Sequence, residues 1–242
     1  PDASDPETLF PMWLWESNWD NQWINPSNGS VSLNENAGYS DTGAKGPNVG
    51  CGNEVTPFTA SKTTMLNAIT ALTPWRRGGT MSSIGMAWGW RMLSPKWRGM
   101  WGNPNLPLDY DTPLMNKAVI VMTDGVNEVF TPYSNPPYGS DYTSYQRIGQ
   151  EKLGPGVNTR SEGVTAVNDR FSTLCSNMKA QGILVYTVTF RLNTSTAANN
   201  ARALFRSCAS HPDYYFDSPD GATLQQAFRQ IGDSLANLMI SQ

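Results

Sequence analysis

Two polar side chains in this sequence could together bind a metal ion. Thr80 ends a Gly-Gly-Thr segment, and Asp124 stands in a Thr-Asp-Gly segment directly after the apolar run Ala118–Met122. A hydroxyl and a carboxylate are oxygen ligands of the kind that hard divalent cations prefer. Brought to one edge of a sheet, they could hold Mg²⁺ or Ca²⁺ and leave coordination positions open. An ordinary turn at Asp124 is the alternative that the pattern leaves open.

The residues before Asp124 predict a strand of a parallel sheet. Ala118–Met122 are uninterrupted apolar residues, rich in β-branched types, and they end at a turn. Such a run is typical of a strand that is buried on both faces. Because α/β proteins bind their ligands at the carboxyl ends of the strands, Asp124 would stand where a ligand is expected.

Helices and further strands alternate along the rest of the chain. Apolar spacing predicts helices near residues 65–72, 84–93, 164–178 and 197–208 and from Ser218-Pro219 onward, with strands at Ile183–Phe190 and Tyr214–Phe216. In the first of these helices Met65, Leu66, Ile69 and Leu72 recur at helical spacing. The apolar face of the last comprises Leu224, Phe228, Ile231, Leu235 and Leu238. Segments 94–113 and 130–156 are predicted to be irregular excursions. This order predicts an α/β fold with a mostly parallel sheet flanked by helices, in which a central strand is missing.

Composition narrows the classes of function. The chain has 242 residues, a net charge of -3 and no Lys/Arg cluster longer than two residues, which argues against a nucleic-acid surface. No segment approaches the ~18 apolar residues of a membrane span. His211 is the single histidine, and we expect it in a solvated loop. Catalysis by a Ser-His-Asp set or by several histidines is therefore hard to build.

Residues 1–50 differ in composition from residues 51–242. Four tryptophans stand there among Asn, Ser, Asp, Gly and Pro, namely Trp13, Trp15, Trp19 and Trp23. We interpret residues 1–50 as an insertion or extension whose tryptophans pack back onto the domain formed by residues 51–242. The alternative is an exposed aromatic surface that binds sugar or a partner protein.

Three segments, in order, resemble a known family. They are Gly78-Gly79-Thr80, the string from Gly85 to Pro95 that contains Ala-Trp-Gly-Trp-Arg, and Lys117–Asn127. Together they resemble the von Willebrand factor A-like domain of the TadG family, whose members are envelope proteins of Flp/Tad pilus assembly. The likeness covers about residues 51–242 and continues through Gly182–Phe190 to the C-terminal helix.

The resemblance implies a doubly wound, Rossmann-like fold with a metal-ion-dependent adhesion site. In that family the metal ligands come from three loops. The first loop supplies the motif Asp-x-Ser-x-Ser, the second supplies a threonine, and the third supplies an aspartate. Thr80 matches the threonine of the second loop, and Asp124 matches the aspartate of the third. The first is absent, since Asp2-Ala-Ser4-Asp5-Pro6 has proline where serine is required. Either the first central strand, its motif and a membrane anchor lie upstream and are missing from this chain, or the motif and the metal have been lost.

The resemblance also implies a disulfide between Cys175 and Cys208, as suits an oxidising envelope, with Cys51 paired upstream or free. It implies a non-enzymatic adhesion or protein-binding role on the periplasmic or cell-surface side. The expected partners are other pilus-assembly or pilin-like proteins, or a missing N-terminal segment of the same protein. No nucleic acid is expected, and membrane association would come only through an upstream anchor. The alternatives are sugar binding by the N-terminal tryptophans and metal-assisted hydrolysis by Asp124 with Glu128.

Overall fold

A computed structural model describes residues 53–72, 79–129, 143–145 and 148–240, with side chains to residue 237. It divides into two units, of which one comprises Pro1–Gly78 with Val129–Arg160 and the other Gly79–Glu128 with Ser161–Gln242. The boundary predicted at residue 50 falls outside the described residues and stays a prediction. Cys51 and the four N-terminal tryptophans also lie outside them. None of the described helices is both long enough and apolar enough to cross a membrane.

The first unit contains helix α1 (Lys62–Thr70). Ser61 caps it, because its side chain accepts a hydrogen bond from the backbone N–H of Thr64 at 3.2 Å. The predicted helix is confirmed, but its apolar residues are exposed: Met65 is 42% exposed, Leu66 51%, Ile69 58% and Leu72 64%. No residue of α1 is buried, so the apolar spacing was correct for a helix but had no partner surface among the described residues. A short 3-10 helix at Ile148–Gln150 lies in the segment predicted to be irregular.

The second unit is built on a parallel sheet of three strands, β1 (Ala118–Thr123), β2 (Leu184–Phe190) and β3 (Tyr215–Ser218). Their spatial order is β1-β2-β3 among the described residues. Val119 stands opposite Val185, and Thr187 opposite Tyr215. The predicted α/β class with a parallel sheet is confirmed, and the arrangement is compatible with a Rossmann-like fold.

Four helices of the second unit accompany the sheet, namely α2 (Ser82–Leu93), α3 (Arg160–Ala180), α4 (Thr196–Cys208) and α5 (Gly221–Ile240). Gly182 follows α3 with φ +72°, as expected of a glycine past a helix end. The predicted start of the last helix is wrong, because Ser218 ends β3. Asp220 is the residue that caps α5, and its carboxylate accepts a hydrogen bond from the N–H of Thr223 at 2.8 Å.

The two faces of the sheet are covered unequally. The side of α2, α3 and α4 carries the larger core, which includes Met86, Phe171, Cys175, Met178, Ile183, Val185, Phe205 and Cys208. On the other side α5 packs against β2 and β3. Ile231 of α5 joins Tyr186 and Val188 there, whereas Phe228, on the predicted apolar face of the helix, is 43% exposed.

Strand β1 is not buried on both faces, which corrects the prediction from its apolar run. Val119 and Val121 pack on the larger core, but Ile120 is 38% exposed and Met122 50%. The reason is that α5, the only described helix on that side of the sheet, covers the neighbouring strands. The carbonyl of Lys117 accepts a hydrogen bond from the N–H of Leu184 at 2.8 Å. By alternation, the N–H and C=O groups of residues 118, 120 and 122 point away from β2.

Lys117 ties the excursion after α2 to the start of β1. Its side chain is buried, and its ammonium donates hydrogen bonds to the carbonyls of Leu93 and Leu108 and lies 4.5 Å from the ring centroid of Tyr110. Burial lowers the pKa of the Lys117 ammonium, and the carboxylate of Asp109 partly offsets this. We expect Lys117→Met to lower the free energy of unfolding by about 1–3 kcal/mol, because two carbonyls lose their donor.

Urea unfolding at several pH values measures this effect, with Lys96→Met at an exposed lysine as the control. Because the pKa of Lys117 is lower in the folded chain, the unfolded chain holds more protons between that pKa and its ordinary value of 10.5. The stability of the wild type relative to Lys117→Met should therefore rise with pH over this interval. Equal unfolding midpoints for the two lysine variants would contradict the assignment.

Candidate functional site

The carboxyl end of β1 and the segment before α2 meet, as the metal hypothesis requires. The hydroxyl oxygen of Thr80 lies 3.4 Å from the position that a Cβ atom would take on Gly125. Gly125 directly follows Asp124, so the threonine and the aspartate come from two segments in contact at one edge of the sheet. The structure therefore brings the two predicted residues to the same place.

Backbone contacts fix the Thr80 segment. The N–H of Glu128 donates to the carbonyl of Thr80 at 2.9 Å. Gly79 has φ +71°, and a Cβ on it would lie 3.0 Å from the carbonyl carbon of Glu128 and closer still to the carbonyl oxygen. Only glycine combines this backbone conformation with this close approach. The position of the Thr80 hydroxyl thus depends on the glycine that precedes it.

Two asparagines join the segments that meet at this edge of the sheet. The sequence analysis did not single them out. The side-chain oxygen of Asn127 accepts a hydrogen bond from the N–H of Ser82 at 2.8 Å, at the start of α2. Its side-chain nitrogen donates to the side-chain oxygen of Asn168 in α3, also at 2.8 Å. Asn127 is buried, and its amide joins the turn after β1 to the start of α2 and to α3. Asn127 was visible as the end of the Lys117–Asn127 segment, whereas nothing in the sequence around Asn168 indicated this contact.

Asp124 stands in a turn that the neighbouring Thr123 organises. The hydroxyl of the buried Thr123 donates to the carbonyl of Gly125 at 2.8 Å and accepts from the N–H of the same residue at 3.2 Å. Asp124 itself is exposed and makes no hydrogen bond or ion pair with another described residue. A carboxylate and a hydroxyl are oxygen donors of the kind that a hard cation accepts.

The donor set at this edge is small. Over the described ranges, no group of three or more His, Cys, Asp or Glu side chains could hold a metal ion. Thr80 and Asp124 supply one hydroxyl and one carboxylate, which fit Mg²⁺ or Ca²⁺ by type. The other coordination positions would be filled by water or by groups from elsewhere.

The remaining predicted residues are placed as follows. Cys175 and Cys208 form a disulfide with a Cα–Cα distance of 5.2 Å, which confirms the pairing that the resemblance implied. Both cysteines are buried in the larger core. The side chain of His211 is 61% exposed, in agreement with the expected loop position. The candidate binding residues Trp13, Trp15, Trp19 and Trp23 lie outside the described residues.

Comparison with solved structures gives remote similarities. The pilus adhesin SpaC from Lactobacillus rhamnosus GG, in an open conformation, is 18% identical, with a TM-score of 0.42 over 74% of this chain and 21% of that one. A second structure of SpaC is 15% identical, with a TM-score of 0.42 over 74% of this chain and 21% of that one. Proximal thread matrix protein 1 from the mussel byssus gives 15% identity and a TM-score of 0.40 over 72% of this chain and 32% of that one.

The chain therefore spans about a fifth to a third of the length of these structures. No protein-family model matches it, and no curated protein matches it in sequence. Identities and scores at this level do not assign a function.

Proposed function

We propose that this chain is a non-enzymatic protein-binding module of the bacterial cell envelope. Its role would be adhesion within Flp/Tad pilus assembly, on the periplasmic or cell-surface side. The fold would be that of a von Willebrand factor A-like domain, and Thr80 and Asp124 would be the ligands that this chain contributes to a metal-ion-dependent adhesion site. The sequence resemblance to the TadG family supports the context.

The observation that carries the proposal is the contact between the Thr80 segment and the turn after Asp124. A hydroxyl and an exposed carboxylate, which has no partner among the described residues, lie at the carboxyl edge of a parallel sheet, where α/β proteins bind ligands. A divalent cation held there by few protein ligands would keep open positions. One of those positions would accept an acidic side chain of a partner protein, which makes the interaction dependent on the cation.

The outer edge of β1 supports a second protein contact. Its outward N–H and C=O groups are unpaired among the described residues, and two exposed apolar side chains, Ile120 and Met122, stand beside them. A strand that adds to this edge would satisfy the backbone groups and cover those side chains. In the proposal it comes from a pilin-like partner or from an N-terminal segment of the same protein.

Calorimetric titration of the chain with Mg²⁺ and with Ca²⁺ tests the proposed metal site. We expect Asp124→Asn to weaken cation binding at least about tenfold, because it removes the one carboxylate of the donor set. Thr80→Ala removes a neutral oxygen and should cost less. Asp213→Asn is the matched control, since this aspartate is also exposed but lies in the loop before β3.

Two results would contradict the metal site: a wild-type chain that binds neither cation, or an Asp124→Asn variant that binds as the wild type does. Hydrolysis of a substrate that stops on chelation and is lost in Asp124→Asn would favour the metal-assisted hydrolase instead. Sugar binding that survives chelation and is lost on replacement of Trp13 or Trp19 would favour the N-terminal aromatic surface.

A further inference from the structure

Three tryptophans and an arginine form a cluster at the C-terminal half of α2 and in the excursion that follows it. The ring centroids of Trp88 and Trp97 are 6.2 Å apart, those of Trp88 and Trp101 6.3 Å, and those of Trp97 and Trp101 5.8 Å. The guanidinium carbon of Arg91 lies 4.7 Å from the ring centroid of Trp88 and 5.6 Å from that of Trp97. We call these four residues the Trp-Arg cluster.

Arg91 is held in place without a carboxylate partner. Its guanidinium rests against two indole rings, and within the described part of the chain its side chain makes no ion pair or hydrogen bond. The nearby Arg98, by contrast, is paired with Asp109. An oriented guanidinium whose N–H groups have no acceptor among the described residues is suited to a bidentate bond with a carboxylate.

The aromatic side of the cluster also has unused donors. The indole N–H of Trp101 donates to the carbonyl of Arg91 at 3.3 Å. Those of Trp88 and Trp97 have no acceptor among the described residues, and Trp88 is 39% exposed. A ligand would therefore meet a partly exposed indole, two indole N–H groups that can donate to hydroxyls, and one guanidinium.

Local charge favours an anionic ligand. The sequence contains no aspartate or glutamate between Glu54 and Asp109, although the whole chain has a net charge of -3. Besides Arg91, the exposed Lys96 stands in the short 3-10 helix Pro95–Trp97 that carries Trp97. The surface of the cluster is thus basic and aromatic in a chain that is acidic overall.

We propose that the Trp-Arg cluster binds an acidic carbohydrate. A sugar ring would stack on the exposed part of Trp88, its carboxylate would bind Arg91, and its hydroxyls would accept from the indole N–H groups. A peptide fits less well, because its backbone N–H groups would need acceptors. The carbonyls of Arg91, Leu93 and Leu108 already accept hydrogen bonds from Trp101 and Lys117. The cluster begins on the half of α2 that is remote from Thr80, so the proposal does not depend on the metal site.

Calorimetric titration with a tetrasaccharide of alternating glucuronic acid and N-acetylglucosamine tests the proposal, with the neutral N-acetylglucosamine tetramer beside it. We expect the acidic sugar to bind more tightly, and Arg91→Gln to weaken it at least about tenfold. Arg91→Lys keeps the positive charge but loses the bidentate geometry of the guanidinium. Its affinity for the acidic sugar should therefore lie between those of the wild type and Arg91→Gln. Trp88→Leu should weaken both sugars.

Arg206→Gln is the matched control, because Arg206 also lies over an aromatic ring, at 4.9 Å from the centroid of Tyr215. It should bind the acidic sugar as the wild type does. Circular dichroism and the unfolding midpoint show which variants keep the fold. The proposal is overturned if neither sugar binds, if Arg206→Gln and Arg91→Gln weaken binding equally, or if the wild type binds phosphatidylglycerol vesicles but not the acidic sugar.

Discussion

Simultaneous replacement of Cys175 and Cys208 by alanine is expected to lower the free energy of unfolding by about 3–4 kcal/mol in the chain-entropy description. The disulfide joins residues separated by 33 positions, and without it the unfolded chain gains the freedom of that loop. Both sulfur atoms also belong to the larger core, so their loss leaves unfilled volume. Urea unfolding in non-reducing buffer measures the difference.

Cys51→Ala is the control for this pair, because it replaces a cysteine that is not part of the described disulfide. This variant should have the same urea unfolding midpoint as the wild type. If the double variant and the wild type share one midpoint and one slope, the disulfide contributes nothing to stability in solution. If the reduced wild type matches the double variant, the loss comes from the bond and not from the missing sulfur atoms.

Gly79→Ala is expected to destabilise the second unit by about 3 kcal/mol or more, since backbone strain and a clash act together. The residue has φ +71°, which side chains with a Cβ adopt at a cost. The added methyl would also press on the backbone carbonyl of Glu128, which is not a group that can rotate away. The same change should displace Thr80 and weaken cation binding at the proposed site.

Gly182→Ala separates strain from clash in this experiment. Gly182 has nearly the same backbone angle, φ +72°, but no atom lies within 4 Å of its added Cβ. It should lose about 1–2 kcal/mol, as expected for strain alone. Thermal and urea unfolding of the two variants give the comparison. Equal losses would mean that the approach of Gly79 to Glu128 is not tight in solution.

The fold class was predictable because its signals are local. Five apolar residues before Thr123 and eight residues at Ile183–Phe190 indicated strands. The same local signals misled where burial depends on neighbours. The run in β1 looks like a central strand, yet two of its side chains are exposed because no described element covers them.

The candidate site was predictable in part. Gly-Gly-Thr and Thr-Asp-Gly indicated the two loops, and parallel strands bring such loops to one edge. The support from Asn168 was not predictable, because a hydrogen bond between α3 and the end of β1 leaves no spacing signal. The Trp-Arg cluster was not predicted for the same reason. Its rings come from a helix, a 3-10 helix and a turn, and they meet only through tertiary contacts.

The disulfide has a mechanical consequence. It joins the C-terminal half of α3 to the end of α4, and the covalent loop that it closes contains the whole of β2. If the chain is pulled at its two ends, tension passes through the sulfur–sulfur bond and not through that loop. About 110 Å of contour length is thereby withheld from extension, and the middle strand of the described sheet cannot be drawn out while the bond is intact.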